Sequence, residues 1–428
     1  MPSYKINPLE HEKFFKASMK ILIHGINYAP ELTGIGKYTA EMAEVLAKCG
    51  HEVRVVCAPP YYPAWRVANG FSPIKYARQE RNGVSVWRTP LWVPEQPKGL
   101  RRIVHLASFA ASSFPVMLRQ IFWRPQMVIC VAPSLMNAPG AWLVARITRA
   151  HAWLHVQDYE VDAAFSLGVL TGSMFKKLAL FVERTLFNRF DTISTISNKM
   201  IERALCKGVA PEKIVRFLNW ADTSAIYPLN CPGELRAELN IPDDEIVVLY
   251  SGNMGVKQGL DVLAEVADRL ASRRGFYFVF CGNGPGRDIL IATCGEAPNC
   301  RFLELQPVER LNELLNLADI HVLPQRADAA DLVMPSKLTG MFASGRAVIA
   351  MANPGTELYD IVSSRGVVVR PGDPEELAQA IERLAGNSEE RARLGKVGRE
   401  FAESVLSRDA VLGSFEATLN ARCATRSN

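Results

Sequence analysis

Asp331-Leu332-Val333-Met334-Pro335-Ser336-Lys337-Leu338-Thr339-Gly340-Met341-Phe342-Ala343-Ser344-Gly345 is the stretch on which the reading of this 428-residue chain turns. It follows a predicted buried strand, Ile320–Leu323, after a loop, and it opens a helix. Pro335 suits a first helical turn, because the N–H it lacks would have no partner there. Ser336 and Lys337 then sit beside free backbone N–H groups, and a helix N-terminus with an added lysine attracts anions. A plain strand–loop–helix connection of an α/β fold would look the same. The neighbouring segments decide between the two.

Strands and helices alternate on both sides of it. Apolar runs predict strands at Ile246–Ser251, Phe276–Cys281, Arg301–Leu303, Ile320–Leu323, Ala347–Ala350 and Gly366–Val369, with helical periodicity in the intervals. That alternation predicts a parallel sheet whose ligands gather beyond the strand C-termini. Two of those ends are glycine-bearing: Ser251-Gly252-Asn253-Met254-Gly255-Val256-Lys257-Gln258-Gly259 and Cys281-Gly282-Asn283-Gly284-Pro285-Gly286-Arg287. With Ser336 and Lys337 they bring N–H groups and the cations Lys257, Arg287 and Lys337 to one sheet edge, which suits a nucleotide diphosphate.

The first half repeats the pattern, with strands expected at Lys20–Gly25, Glu52–Ala58, Val84–Arg88, Met127–Val131, Ala152–Val156 and Asp191–Ser194. Gly34 and Gly36 precede a helix and allow a ligand close to backbone N–H groups. The full Gly-x-Gly-x-x-Gly fingerprint is absent, and no ribose-binding acid follows the second strand, which disfavours a nicotinamide dehydrogenase. Pro59-Pro60-Tyr61-Tyr62-Pro63-Ala64-Trp65 is a stiff aromatic loop, suited to carbohydrate or lipid contact or simply packed. Gln157-Asp158-Tyr159-Glu160-Val161-Asp162 sets three carboxylates at a strand end, either as a site or as caps on a following helix. The expected division is an extension (1–18), a first Rossmann-like domain (19–215), a linker (216–233), a second (234–388) and a helical tail (389–428) returning toward the first.

Length alone favours two domains of roughly 200 residues. Hydrophobic content of 48% with 22% charged residues is that of a soluble globular protein. The net charge of +5 is unevenly spread. Lys98, Arg101, Arg102, Arg119 and Arg124 share a segment without acids, interleaved with Ile103, Leu106, Phe109, Phe114, Leu118, Phe122 and Trp123. This is either a basic amphipathic helix on an anionic membrane or a buried helix with solvated ends. The nine cysteines show no metal or disulfide spacing, and no run is long and apolar enough to span a bilayer.

The ordered set of motifs resembles the GT-B fold, and within it retaining glycosyltransferase family 4. The matching pieces are Pro30-Glu31-Leu32-Thr33-Gly34-Ile35-Gly36, Thr195-Ile196-Ser197, Gly282-Asn283-Gly284-Pro285, Ala318-Asp319-Ile320-His321-Val322-Leu323-Pro324 and Pro335-Ser336-Lys337-Leu338, followed by Ala343-Ser344-Gly345-Arg346. Asn27-Tyr28-Ala29-Pro30-Glu31 and Gln157-Asp158-Tyr159-Glu160 resemble the bacterial colanic-acid and exopolysaccharide transferases. The resemblance implies two Rossmann-like domains with parallel sheets facing across a cleft, the second gripping a GDP- or UDP-sugar and the first a lipid-linked saccharide acceptor. It implies transfer of a hexose or deoxyhexose with retention and without a cofactor or metal, by a cytoplasmic protein peripheral to the inner membrane face. No nucleic-acid partner is expected.

Lys257, with Asp158 and Glu160, is then the catalytic set. Gly34, Gly36, Gly252, Asn253, Gln258, Gly282, Gly284, Asp331, Ser336, Lys337 and Glu357 are the substrate-binding set. The chain departs from the family pattern where Asn253 and Gln258 replace an Arg and a Lys. The usual pair of glutamates falls on Leu332 and Gly340, with Asp331 and Glu357 as candidate substitutes. A nucleotide-sugar 2-epimerase using His24, His151 or His155, and a non-catalytic subunit of a polysaccharide-assembly complex, are the alternatives.

Overall fold

The computed structural model describes residues 18–31, 34–96, 99–162, 173–230, 233–255, 258–271, 273, 275–326 and 335–424. Two sheets carry the fold. The first contains β1 (Lys20–His24), β2 (Glu52–Cys57), β3 (Ala77–Arg81), β4 (Val84–Arg88), β5 (Met127–Ala132), β6 (His151–Val156), β7 (Thr192–Thr195) and β8 (Ile214–Arg216). Its order is β3-β4-β2-β1-β5-β6-β7-β8. The second contains β9 (Ile246–Ser251), β10 (Phe276–Cys281), β11 (Cys300–Leu303), β12 (Ile320–Leu323), β13 (Ala347–Met351) and β14 (Val367–Val369), in the order β11-β10-β9-β12-β13-β14. The order steps away from a central strand in both directions, the doubly wound pattern of α/β folds. By contacts the chain divides into unit 1, Met1–Ile193 with Asn420–Asn428, and unit 2, Ser194–Leu419.

Unit 1 carries α1 (Gly34–Lys48), α2 (Leu100–Gln120), α3 (Ala138–Thr148) and α4 (Ser173–Arg189). Its central strands β5 and β6 are buried throughout, as continuous apolar runs covered on both faces must be. The unpredicted strand β3 is antiparallel to β4, joined through Asn82 and Gly83, both at positive φ (47° and 80°). That is the conformation a two-residue hairpin needs.

Unit 2 carries α5 (Asn198–Cys206), α6 (Glu234–Glu238), α7 (Leu260–Arg269), α8 (Gly286–Cys294), α9 (Leu311–Leu317), α10 (Ser336–Ala343), α11 (Glu357–Val362), α12 (Pro374–Ala385), α13 (Ser388–Ser404) and most of α14 (Arg408–Ala424). Helix starts follow local chemistry. Thr356, Asp373 and Asn387 cap α11, α12 and α13 by accepting from Tyr359, Glu376 and Glu390 N–H groups, each worth about 1 kcal/mol. The core beneath β9 and β10 is built on Val248, Tyr250, Phe278 and Phe280 against Leu263, Ala267 and Leu290.

Of the tail, residues 389–419 belong by contacts to unit 2 and those from Asn420 onward to unit 1. Gly395 and Gly398 explain the docking of α13. A Cβ at Gly395 would stand 2.0 Å from the Gly345 carbonyl oxygen, and one at Gly398 would stand 2.7 Å from the Phe342 ring, so α13 lies directly on α10. Arg399 then donates to the carbonyls of Thr223, Ile226 and Ala343, which ties the predicted linker into the same layer.

Candidate functional site

The unit 2 site is built on the C-terminal edge of its parallel sheet. β9 and β10 run in register, Ser251 beside Cys281, and their following loops interlock. Gly252 N–H donates to the Cys281 carbonyl (2.8 Å), Met254 N–H to that of Asn283 (2.9 Å) and Gly286 N–H to that of Met254 (2.7 Å). The glycines serve this interlocking. A Cβ on Gly282 (φ +143°) would lie 2.0 Å from the Gly252 oxygen, and one on Gly284 (φ +141°) 2.7 Å from the Met254 oxygen. Both glycines are thus small for protein backbone, and the Gly282 N–H donates to the Leu303 carbonyl (3.0 Å).

Gly252 has a different neighbour. A Cβ there would stand 2.6 Å from Lys337 Cε, so the bare backbone is what lets the lysine stem lie across the loop. Lys337 Nζ donates to the Tyr250 hydroxyl (2.5 Å) and the Asn253 carbonyl (3.1 Å), and it lies 4.3 Å from the Tyr250 ring centre. The Tyr250 hydroxyl in turn donates to the Asn253 carbonyl (2.6 Å). Burial pushes the ammonium down to about 7, since loss of water disfavours the charged form. Ser336, exposed, opens α10 with no side chain capping that helix. The arrangement is a partly desolvated cation beside uncapped first-turn amides, which suits an anionic ligand.

The other predicted residues divide. Lys257 and Asp331 lie outside the described residues, as does Leu332. Asn253 is exposed beside the lysine and Gln258 half-buried. Arg287, expected to hold phosphate, pairs with Glu304 and donates to Asn283 Oδ1. Glu357 is buried, and its two carboxylate oxygens accept from the N–H groups of Asn198 and Lys199 at the start of α5. A carboxylate is favoured at a helix N-terminus, so these contacts give Glu357 a structural role at the start of α5. At Gly340 a Cβ would meet Leu315 (3.2 Å) and Ile226 (3.8 Å), so the position faces apolar packing. Tyr250 escaped the sequence reading; its signal was one phenol at the end of an otherwise aliphatic strand.

In unit 1, Gly36 lies in the first turn of α1. A Cβ there would stand 2.5 Å from Glu31 Oε2, and Glu31 accepts from the Tyr61 and Tyr62 N–H groups and from Asn27. Gly34, at φ +61°, begins α1 and faces Tyr62. Asp158 is exposed at the end of β6. Glu160 accepts from Leu135 N–H through Oε2, and burial raises its carboxyl to about 7. His24, His151 and His155, which an epimerase reading needs, are buried strand residues, with His24 against Ser113 and His151 against Thr192. An open groove of about 1040 Å³ lies past the ends of β2 and β4, lined by Trp65, Arg66, Phe71, Ile74, Leu91 and Trp92. Tyr61 of the aromatic loop is packed inward on Trp65 and His105.

Two doubly wound units, with a cationic sheet-edge site in the second, are the features of a GT-B glycosyltransferase. Family profiles agree: a "Glycosyl transferase 4-like domain" matches residues 33–220 and "Glycosyl transferases group 1" matches residues 233–401. The chain belongs to this glycosyltransferase family. The "Putative colanic acid biosynthesis glycosyl transferase WcaI" of Escherichia coli (strain K12) is 42% identical over 407 residues, covering 93% of this chain and 98% of the relative. Among solved structures, sucrose-phosphate synthase from Thermosynechococcus elongatus superposes with a TM-score of 0.74 at 17% identity, covering 95% of this chain and all of that one. Anabaena Alr3699/HepE in complex with UDP and glucose gives 0.68 at 15%, covering 94% of this chain and all of that one. At those identities the structures speak for the fold.

Proposed function

We propose that the chain moves a hexosyl or deoxyhexosyl unit from a GDP- or UDP-sugar to a lipid-linked saccharide, in assembly of a colanic-acid-like exopolysaccharide. The carrying observation is Lys337, a half-buried cation held by Tyr250 and the Asn253 carbonyl on the donor-side sheet edge. Transfer breaks the anomeric C–O bond to the diphosphate and forms a C–O bond to an acceptor hydroxyl on the same face, with retention. The electron pair leaves on the diphosphate, which takes up the acceptor hydroxyl's proton, and Lys337 and the amides at the start of α10 stabilise it without a metal. The homologous colanic-acid transferase supports the polysaccharide context. The UDP bound by HepE supports a nucleotide-diphosphate donor. In unit 1 the aromatic groove receives the acceptor, and Asp158 or Glu160 orients its hydroxyls. The protein works at the cytoplasmic face of the plasma membrane, held peripherally; no helix among the described residues is long and apolar enough to cross it.

The test is turnover of GDP- and UDP-sugars on lipid-diphosphate saccharides, with the product anomer read by NMR and chelator added in parallel. Retained configuration with an unchanged rate in chelator is expected. Nucleotide binding without turnover on any acceptor would overturn the reading.

A further inference from the structure

The outward side of α2 carries more apolar surface than its solvent position accounts for. Its core side is His105, Phe109, Ser113, Met117 and Gln120. The opposite side exposes Leu100, Val104, Ala107, Ala111 and Phe114, and the turn that follows exposes Phe122. These positions recur every three or four residues, so they form one stripe along the helix. Leu100 is 73% and Phe122 88% exposed. A helix that only roofed a sheet would be polar there.

The stripe continues onto two neighbours. α3 packs beside α2, with Phe114 against Gly140, and α4 packs beside α3, with Arg189 4.6 Å from the Trp142 ring. On their exposed sides lie Ile147 of α3 and Leu178, Phe181 (67% exposed) and Val182 of α4. The charges among them have one sign. Arg101, Arg102, Arg119, Arg146, Arg149 and Arg184 are exposed, whereas α2 and α3 contain no acid. Glu183, an acid of α4, is buried.

We propose that this three-helix face of unit 1 rests on the surface of an anionic bilayer, with Leu100, Phe122 and Phe181 entering the headgroup layer and the arginines facing lipid phosphates. The inference rests on the reading of the acceptor as lipid-linked, and adds which surface meets the membrane. Apolar side chains ringed by cations are the composition of an interfacial helix layer. Two copies meeting through the same face would bring like charges together, which opposes self-association as the occupant.

The test is co-sedimentation of the full chain with vesicles of equal phosphatidylglycerol and phosphatidylcholine, and with phosphatidylcholine alone. Binding to the anionic vesicles only, weakened by salt, is expected. Phe122→Glu with Phe181→Glu should lower the partition coefficient at least tenfold, and Arg101→Ala with Arg102→Ala severalfold. Circular dichroism and nucleoside-diphosphate affinity without vesicles should stay unchanged in both. Partitioning indifferent to both variants would overturn the proposal. So would a dimer in light scattering that the phenylalanine variant dissolves, since the face would then belong to a second copy. Intact vesicle binding with no transfer to any lipid-linked acceptor would instead remove the acceptor reading and leave the face standing.

Discussion

Lys337→Met is the substitution that isolates the donor-side cation. Methionine keeps the unbranched stem that crosses Gly252 and lies over Tyr250, and the Tyr250 hydroxyl keeps its bond to the Asn253 carbonyl. What is lost is a charged donor aimed at a diphosphate, worth about 2 kcal/mol, or roughly thirtyfold in Kd. The pH dependence gives an independent handle. In the free protein the ammonium titrates at about 7, and a bound diphosphate raises that value, because it favours the charged form. Affinity is therefore greatest below about 7 and falls as pH rises through it. Between pH 7.5 and 9 the protonated fraction drops about twentyfold; with a roughly thirtyfold difference between the charged and uncharged forms, the unsubstituted protein should weaken about sixfold and approach the variant. Calorimetry with UDP and GDP against uridine and guanosine measures all of this. Nucleoside affinity should be unchanged by the substitution. Equal loss for nucleoside and diphosphate, or a flat profile above pH 7.5, would refute the assignment.

Tyr250→Phe keeps the ring beneath Nζ and removes the hydroxyl, so diphosphate binding should weaken about fivefold, the worth of one hydrogen bond near 1 kcal/mol, with nucleoside binding unmoved in the same calorimetry. Gly282→Ala sets a Cβ 2.0 Å from the Gly252 oxygen at φ +143° and should cost more than about 2 kcal/mol, seen as a lower Tm. Glu160→Gln should stabilise unit 1 by about 1–3 kcal/mol at pH 8 and by little at pH 5. The folded carboxyl is raised from 4.5 to about 7, so its penalty builds as pH rises between those two values and is full above the upper one; denaturant titration at the two pH values reads the difference.

The strands were legible where the residues are apolar and buried. β9 and β10 sit where the runs Ile246–Ser251 and Phe276–Cys281 put them. β3 is Ala-Arg-Gln-Glu-Arg, polar on both faces, so periodicity could not find it; only the Asn82-Gly83 pair announced a hairpin. At the site, Lys337 was legible because a proline, a serine and a lysine at a helix start carry their meaning locally. The glycines were legible as special but not as to why. Gly36, Gly282 and Gly284 are small for Glu31, Gly252 and Met254, and a contact with protein leaves the same mark in a sequence as a contact with ligand. The pairing of Arg287 with Glu304 and of Glu357 with the amides of α5 could not be read from the sequence, because the partners meet only in three dimensions.

Gly340 sharpens what the donor site must do. The resemblance puts a ribose-binding carboxylate at this position, yet a side chain here would set out against Leu315 and Ile226. Glutamate at Gly340 would therefore have to turn away from apolar neighbours before it reached any ligand, and would desolvate part of itself in doing so. Glu357 offers no easy replacement, since turning it toward a ribose would strip two N–H groups at the start of α5 of their acceptor. Under the proposed function, the polar groups described around α10 serve the diphosphate end of the donor: Tyr250, the Asn253 carbonyl and Gly252 are all arranged around one ammonium group. A donor held this way is recognised first by its charge, so the gap in affinity between a nucleoside and its diphosphate should be wide, and Lys337 should account for much of it.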